Sequence, residues 1–308
     1  MDDSGDVCDG SLCYLRWQIT CCHATSPYGN IRQFFLTPVA DTSLCDPPCR
    51  GTTLTEDLSI LTRPATSPDQ VLAYGAESDQ VVDIRFGGHR AAHRPLLVLL
   101  HGGFWRPKYD RAESASMAAA LASEGWTVAT AEYRRIPGDP DSTLHDIATV
   151  IEDLASAVMQ HNGRIILIGN SAGGYLALWA AAAYTGPGLY GILALAPIAD
   201  LRLAHEQNLG SGAVVDFLGA APIDRSDIDS CQLDSPAVPV TIVHGEEDAT
   251  VPLVISESYL AIHPKTRLVR LKDIGHFALI DPISKAWSTV VEELRQLSNY
   301  EQGSSMGR

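Results

Sequence analysis

No apolar run in this sequence approaches the ~20 residues a membrane-spanning helix needs. The longest, Leu96–Leu100 and Tyr190–Ile198, are of strand length. A secretory leader pattern is also missing, because the N-terminus opens on Asp2, Asp3 and Asp6, and the mildly apolar stretch Leu12–Cys22 is broken by Arg16 and Gln18. A cytoplasmic protein with no membrane partner is the expectation. Cations are scarce, with 22 Lys and Arg against 37 Asp and Glu and a formal net charge of −15. That balance excludes a nucleic-acid partner, since a phosphate backbone must be met by clustered Lys and Arg. No His-Glu-x-x-His occurs, and no Cys-x-x-Cys pair, so no metal is implied. Six of the seven cysteines (Cys8, Cys13, Cys21, Cys22, Cys45 and Cys49) crowd the first fifty residues, with Cys231 alone beyond them. No internal repeat is visible.

What remains is an ordinary globular composition, 45% hydrophobic and 19% charged over 308 residues, enough for one large α/β domain. Residues 1–70 show no sustained hydrophobic period and carry turn clusters such as Asp46-Pro47-Pro48. They read as an irregular, poorly ordered, cysteine-containing extension, with a domain spanning 71–308. From there strands and helices alternate. Residues 81–86 alternate in polarity as a half-buried strand does. Leu96–Leu100 is continuously apolar, as a strand covered on both faces requires. Trp126–Ala131, Arg164–Ile168, Tyr190–Leu195, Val238–Val243 and Arg267–Leu271 read as further strands. Leu144, Ile147, Ile151, Leu154 and Val158 recur at helical spacing behind Pro140. Asp281-Pro282 reads as the start of a closing helix. The fold class is α/β, a mostly parallel twisted sheet with helices on both faces and a small insertion, 199–235, over the carboxyl edge.

Four motifs carry chemistry. Gly169-Asn170-Ser171-Ala172-Gly173 lies between a strand and an Ala-rich helix. A nucleophile on so sharp a turn needs small neighbours two residues away on each side, which Gly169 and Gly173 supply. His101-Gly102-Gly103-Phe104-Trp105 follows the Leu96–Leu100 strand. Its glycines let backbone N–H groups face a substrate oxygen; in the loop Gly102-Gly103-Phe104 the candidate oxyanion donors are the N–H of Gly103 or Phe104, together with that of Ala172. His101 itself reads as a structural anchor. Asp248, in the loop after the Val238–Val243 strand, is the candidate acid, whereas Glu246 and Glu247 read as solvated loop charges. His276, in Gly275-His276-Phe277, is the candidate base. His89, His93, His145, His161, His205 and His263 read as surface residues. Phe104 and Trp105, with Leu201, Leu209 and Phe217 of the insertion, are expected to line an apolar substrate pocket. The order Ser, Asp, His, each just past a strand, is that of α/β-hydrolases.

On these residues the chain from Tyr74 to Leu297 resembles the α/β-hydrolase superfamily. Within it, the chain is most similar to the arylformamidase (kynurenine formamidase)-like and small carboxylesterase branch. Tyr74-Gly75, Asp83 and Glu132-Tyr133-Arg134-Arg135 add to the likeness, while Phe104 stands where the formamidase pattern has tyrosine. The resemblance implies cofactor-free hydrolysis of a small-molecule ester or formyl-aryl amide through an acyl-enzyme, with the triad on Ser171, Asp248 and His276. A small-acyl carboxylesterase is the first expectation and an arylformamidase the second. A non-catalytic binding module of the same fold is the third, and such modules commonly lack a triad member.

Overall fold

The computed structural model describes residues 16–26, 29–39 and 56–300, the first two stretches by their backbone alone. The chain divides into two compact units, Met1–Thr53 and Leu54–Arg308. The smaller unit contains a hairpin of β1 (Arg16–Ser26) and β2 (Gly29–Val39), paired from Ser26↔Gly29 at the turn to Arg16↔Val39. Sequence reading missed this hairpin because Cys21-Cys22 and Phe34-Phe35-Leu36 break the strict alternation that marks a strand. The order expected of the rest of residues 1–55, and the state of their cysteines, lie outside the described residues.

The unit boundary falls at Thr53/Leu54, whereas the sequence places it near residue 71. Residues from 56 onward are already packed. Ile60 is buried, Arg85 donates to the Thr66 carbonyl at 2.8 Å, and the Asp69 N–H donates to the Ile84 carbonyl at 2.8 Å.

The larger unit is built on eight strands: β3 (Gln70–Ala73), β4 (Val81–Arg85), β5 (Leu96–Leu100), β6 (Val128–Ala131), β7 (Ile165–Asn170), β8 (Leu189–Leu195), β9 (Val240–Gly245) and β10 (Arg267–Leu271). Their order across the sheet is β10-β9-β8-β7-β5-β6-β4-β3. The pairs from β6 through β5, β7, β8 and β9 to β10 are parallel, while β4 runs antiparallel to both β3 and β6.

Residues of opposite parity on the central strands enter two separate cores. Leu96, Val98, Leu100, Ile165 and Leu167 pack with α2 (Pro140–Ala157) and α3 (Ala172–Ala183). Leu97, Leu99, Ile166 and Ile168 pack with α1 (Ala115–Ser123) and α7 (Trp287–Ser298). This two-sided burial explains why β5 and β7 are apolar without alternation.

Between β8 and β9 lie α4 (Leu201–Glu206) and α5 (Ala213–Leu218), the insertion foreseen at 199–235; α6 (Val254–Ile262) precedes β10. Asp139 caps α2, accepting from the Ser142 N–H at 3.2 Å, with Pro140 in the first turn. The closing helix does not start at Asp281-Pro282. The Asp281 carboxylate is taken by Arg63 and by the Ile283 N–H at 3.0 Å, Ile283 is exposed, and α7 begins only at Trp287. Among the described residues no helix is long and apolar enough to cross a membrane.

Candidate active site

The parallel strands all point their carboxyl ends at one rim of the sheet, and the loops leaving that rim carry every candidate residue. β7 passes into α3 through Ser171, whose backbone sits at φ 54 and ψ −115. A non-glycine residue held there stores ~1–3 kcal/mol of strain. The turn is tight enough that a Cβ on Gly169 would lie 2.1 Å from the Gly173 carbonyl oxygen, and one on Gly173 would lie 2.1 Å from that of Leu100. Both positions therefore require glycine. The Ser171 N–H donates to the Leu195 carbonyl at 2.9 Å, and the Ser171 carbonyl accepts from the Ile198 N–H at 3.1 Å. The elbow is thereby pinned to the end of β8.

The Gly-Gly loop after β5 abuts this elbow, for a Cβ on Gly102 would lie 3.2 Å from that of Ser171. Gly103, Phe104 and Trp105 all have positive φ, at 99°, 54° and 55°. Among the described residues the N–H groups of Gly103 and Phe104 donate to no backbone carbonyl. Ala172, as the first residue of α3, has an N–H without an intrahelical acceptor. Phe104 packs on Gly210 of the insertion, and Arg106 donates to the Gly210 carbonyl. Trp105 is buried, stacked on Phe217 at 4.4 Å and edge-on to Tyr175 at 5.4 Å, and it anchors the loop in the core. Leu201 and Phe217 are buried in the same core, and Leu209 packs partly buried against it.

Beneath the loop His101 is fully buried and stacked on Tyr133 with ring centroids 4.5 Å apart. The Tyr133 hydroxyl donates to the His101 carbonyl at 2.7 Å. His101 Nδ1 lies 2.9 Å from the Gly102 oxygen, and Nε2 lies 2.9 Å from Glu132 Oε1. Burial, reinforced by the neighbouring Arg135 guanidinium, pushes the His101 pKa down to about 4. It is an anchor, as the sequence implies. Glu132, which the motifs assign no role, also accepts the Arg111 N–H at 2.9 Å and pairs with Arg135. Its sequence signals are its place in Glu132-Tyr133-Arg134-Arg135 and a carboxylate directly after the buried strand β6.

Asp248 and His276 are brought together from the loops after β9 and β10. His276 Nδ1 lies 2.6 Å from Asp248 Oδ2, while Asp248 Oδ1 accepts the N–H groups of Thr250 and Val251 at 2.8 Å each. Asp248 is buried, and Glu246 and Glu247 are exposed. His244, unassigned in the sequence, is fully buried with Nε2 2.8 Å from the Val251 oxygen and 3.4 Å from Asp248 Oδ2. Among the described residues no hydrogen bond joins the Ser171 hydroxyl to His276, whose hydrogen-bonded ring nitrogen is the Nδ1 facing Asp248. His263 is not a surface residue. It is buried, with Nε2 3.0 Å from the Ser230 oxygen. A cavity of about 570 Å³ lined by Pro239, His263, Lys265 and Tyr300 opens at the opposite ends of β9 and β10 and holds none of the candidate residues.

Burial alone would raise the Asp248 pKa, but hydrogen bonds from His244 and His276 outweigh it and hold the carboxyl well below the usual carboxylate range. A group whose folded pKa is depressed binds its proton preferentially in the unfolded chain. Its contribution to stability is therefore complete above about pH 4 and lost progressively below it. The thermal midpoint should fall more steeply with acidification below pH ~4 in the wild type than in Asp248→Asn. Parallel acid limbs would contradict this.

An open, mainly parallel sheet with a strained serine elbow, a glycine loop beside it and a buried Asp–His pair on the same rim defines an α/β-hydrolase. A family model described as BD-FAE matches residues 82–235, half of the chain, and the protein belongs to that family. A curated kynurenine formamidase of Drosophila melanogaster is 28% identical over 110 residues, which are 34% of this chain and 35% of that protein. The match thus spans about a third of the relative's length. Among solved structures, esterase B from Lactobacillus rhamnosis superposes with a TM-score of 0.63 at 20% identity, covering 76% of this chain and 87% of the other. A truncated carbohydrate esterase from gut microbiota superposes with a TM-score of 0.65 at 17% identity, covering 76% and 98%.

Proposed function

We propose that this protein hydrolyses a carboxylic ester of a small acyl group through a Ser171–His276–Asp248 triad. His276 Nε2 takes the Ser171 proton as Oγ attacks the carbonyl carbon, and the oxyanion is held by backbone N–H groups of Gly103 or Phe104 and of Ala172. His276 then protonates the leaving alcohol, and the C–O bond breaks to leave the acyl group on Ser171. Water, deprotonated by His276, attacks that acyl-enzyme, and the released Ser171 recovers its proton as the acid departs. The observation that carries this reading is the buried Asp248–His276 hydrogen bond of 2.6 Å on the rim that presents Ser171 at a strained elbow. Membership of the BD-FAE family and the esterases among the structural neighbours support it. A small acyl group suits the loop, because Trp105, Tyr175 and Phe217 fill the space beside it with mutually packed rings.

A second reading, hydrolysis of a formyl-aryl amide, is favoured by the similarity to the Drosophila kynurenine formamidase. The chemistry is the same, with an amine as leaving group. Turnover of p-nitrophenyl acetate and butyrate measured beside N-formylkynurenine separates the two. The first reading expects a higher kcat/KM for the acetate and butyrate esters. A preference for N-formylkynurenine of tenfold or more, ~1.4 kcal/mol of differential transition-state binding, would select the second.

A further inference from the structure

The segment ahead of the sheet touches the candidate base directly. Leu58–Thr62 forms a 3₁₀ turn capped by Asp57, which accepts the Ser59 N–H at 2.9 Å. Two anchors hold that turn to the domain. Ile60, 2% exposed, enters the core shared with α1 and α7. Arg63 grips both carboxylate oxygens of Asp281, with Nη2 3.0 Å from Oδ2. Between these anchors and the rim, the Glu56 carboxylate accepts two consecutive backbone N–H groups, from His276 to Oε1 and from Phe277 to Oε2 at 3.2 Å. It lies so close over the loop that a Cβ on Gly275 would fall 2.1 Å from its Oε1.

We infer that Glu56 is a positioning residue for the hydrolytic reaction, acting through the backbone of His276. The inference rests on the triad reading above. The imidazole is fixed at Nδ1 by Asp248, but a ring held at one nitrogen can still swing with its backbone. Glu56 removes that freedom by clamping the peptide from which the side chain departs, which narrows the arc over which Nε2 can meet Ser171. Two N–H groups bonded by one carboxylate form a bidentate, charge-assisted contact, the strongest kind available to a loop. A misplacement of about 1 Å in a reacting group can cost ~10² in rate, which sets the scale of the effect. The residues from 56 to 63 are on this view a strap that makes the active site complete, and a domain cut at residue 71 would lack it.

Three variants separate reach from charge. Glu56→Ala loses both acceptors, and kcat on p-nitrophenyl acetate should fall roughly tenfold to a hundredfold with KM within about twofold. Glu56→Asp keeps the charge but is one methylene too short, and should fall nearly as far. Glu56→Gln keeps one acceptor oxygen and should stay within about fivefold of wild type. A Gln variant as impaired as Ala beside a fully active Asp variant would overturn the inference in favour of a charge effect. The decisive readout is non-additivity, scored by the rate of fluorophosphonate labelling. In a His276→Ala background, Glu56→Ala should have no further effect, because the group it positions is gone. The same fold-loss in both backgrounds would show that Glu56 merely supports the fold. If Glu56→Ala does not fold, the Asp and Gln variants carry the same comparison in the same background. A His276→Ala enzyme as active as wild type would sink the triad reading itself, a failure distinct from that of the strap.

Discussion

Ser171→Ala is expected to lower kcat for ester hydrolysis by roughly 10⁶-fold, the scale found when a triad nucleophile is removed. The size follows from the chemistry. Without Oγ there is no covalent intermediate, and only the oxyanion donors and substrate binding remain, which together leave ~10³–10⁴ over the uncatalysed rate. The protein itself should be little disturbed, because alanine occupies the φ 54 elbow with the same Cβ as serine and the backbone bonds to Leu195 and Ile198 survive. Thermal unfolding should shift by no more than a few degrees. Turnover of p-nitrophenyl butyrate, measured on protein verified as folded, checks the first part, and activity within a hundredfold of wild type would exclude Ser171 as nucleophile.

Asp248→Asn is the second large effect, an expected fall of ~10⁴ in kcat. The mechanism is a change of tautomer. In the native pair the carboxylate accepts from His276 Nδ1–H at 2.6 Å, which leaves Nε2 with the lone pair needed to take the serine proton. An asparagine keeps its carbonyl oxygen for the Thr250 and Val251 N–H groups, which contact Asp248 Oδ1 at 2.8 Å. It then turns its NH₂ to Nδ1, so the ring proton moves to Nε2 and the base is blocked. KM should change little, because Asp248 does not touch substrate. Asp248→Ala should instead be destabilised as well, since it orphans the buried Val251 N–H at ~1–3 kcal/mol and the half-buried Thr250 N–H besides. An Asp248→Asn enzyme with more than a tenth of wild-type kcat would show that His276 is oriented by something else, and buried His244 beside it would be the place to look.

The parts of this protein legible from sequence are those governed by local pattern. β5 lies at the residues its apolar run indicates, because a strand covered on both faces has little freedom in where it begins. The serine elbow was readable for a similar reason, since its backbone tolerates only glycine at 169 and 173. What sequence reading misplaced depends on contacts between distant residues. Asp281 looks like a helix cap until Arg63 claims its carboxylate, and α7 then starts later. Glu56 belongs to no motif, and its role rests on two backbone groups more than two hundred positions away. His263 read as solvated for want of a motif, yet the fold buries it against Ser230.

In the proposed mechanism turnover passes through one covalent bond, that between an acyl group and Ser171 Oγ. Mass spectrometry of the protein stopped during turnover of a slow ester, with the adduct mapped by proteolysis, reads that bond directly. The account predicts a single acyl mass on the peptide containing Ser171, gained in the wild type and absent from Ser171→Ala. Steady hydrolysis with no adduct on that peptide, or an adduct on another residue that tracks activity, would contradict it.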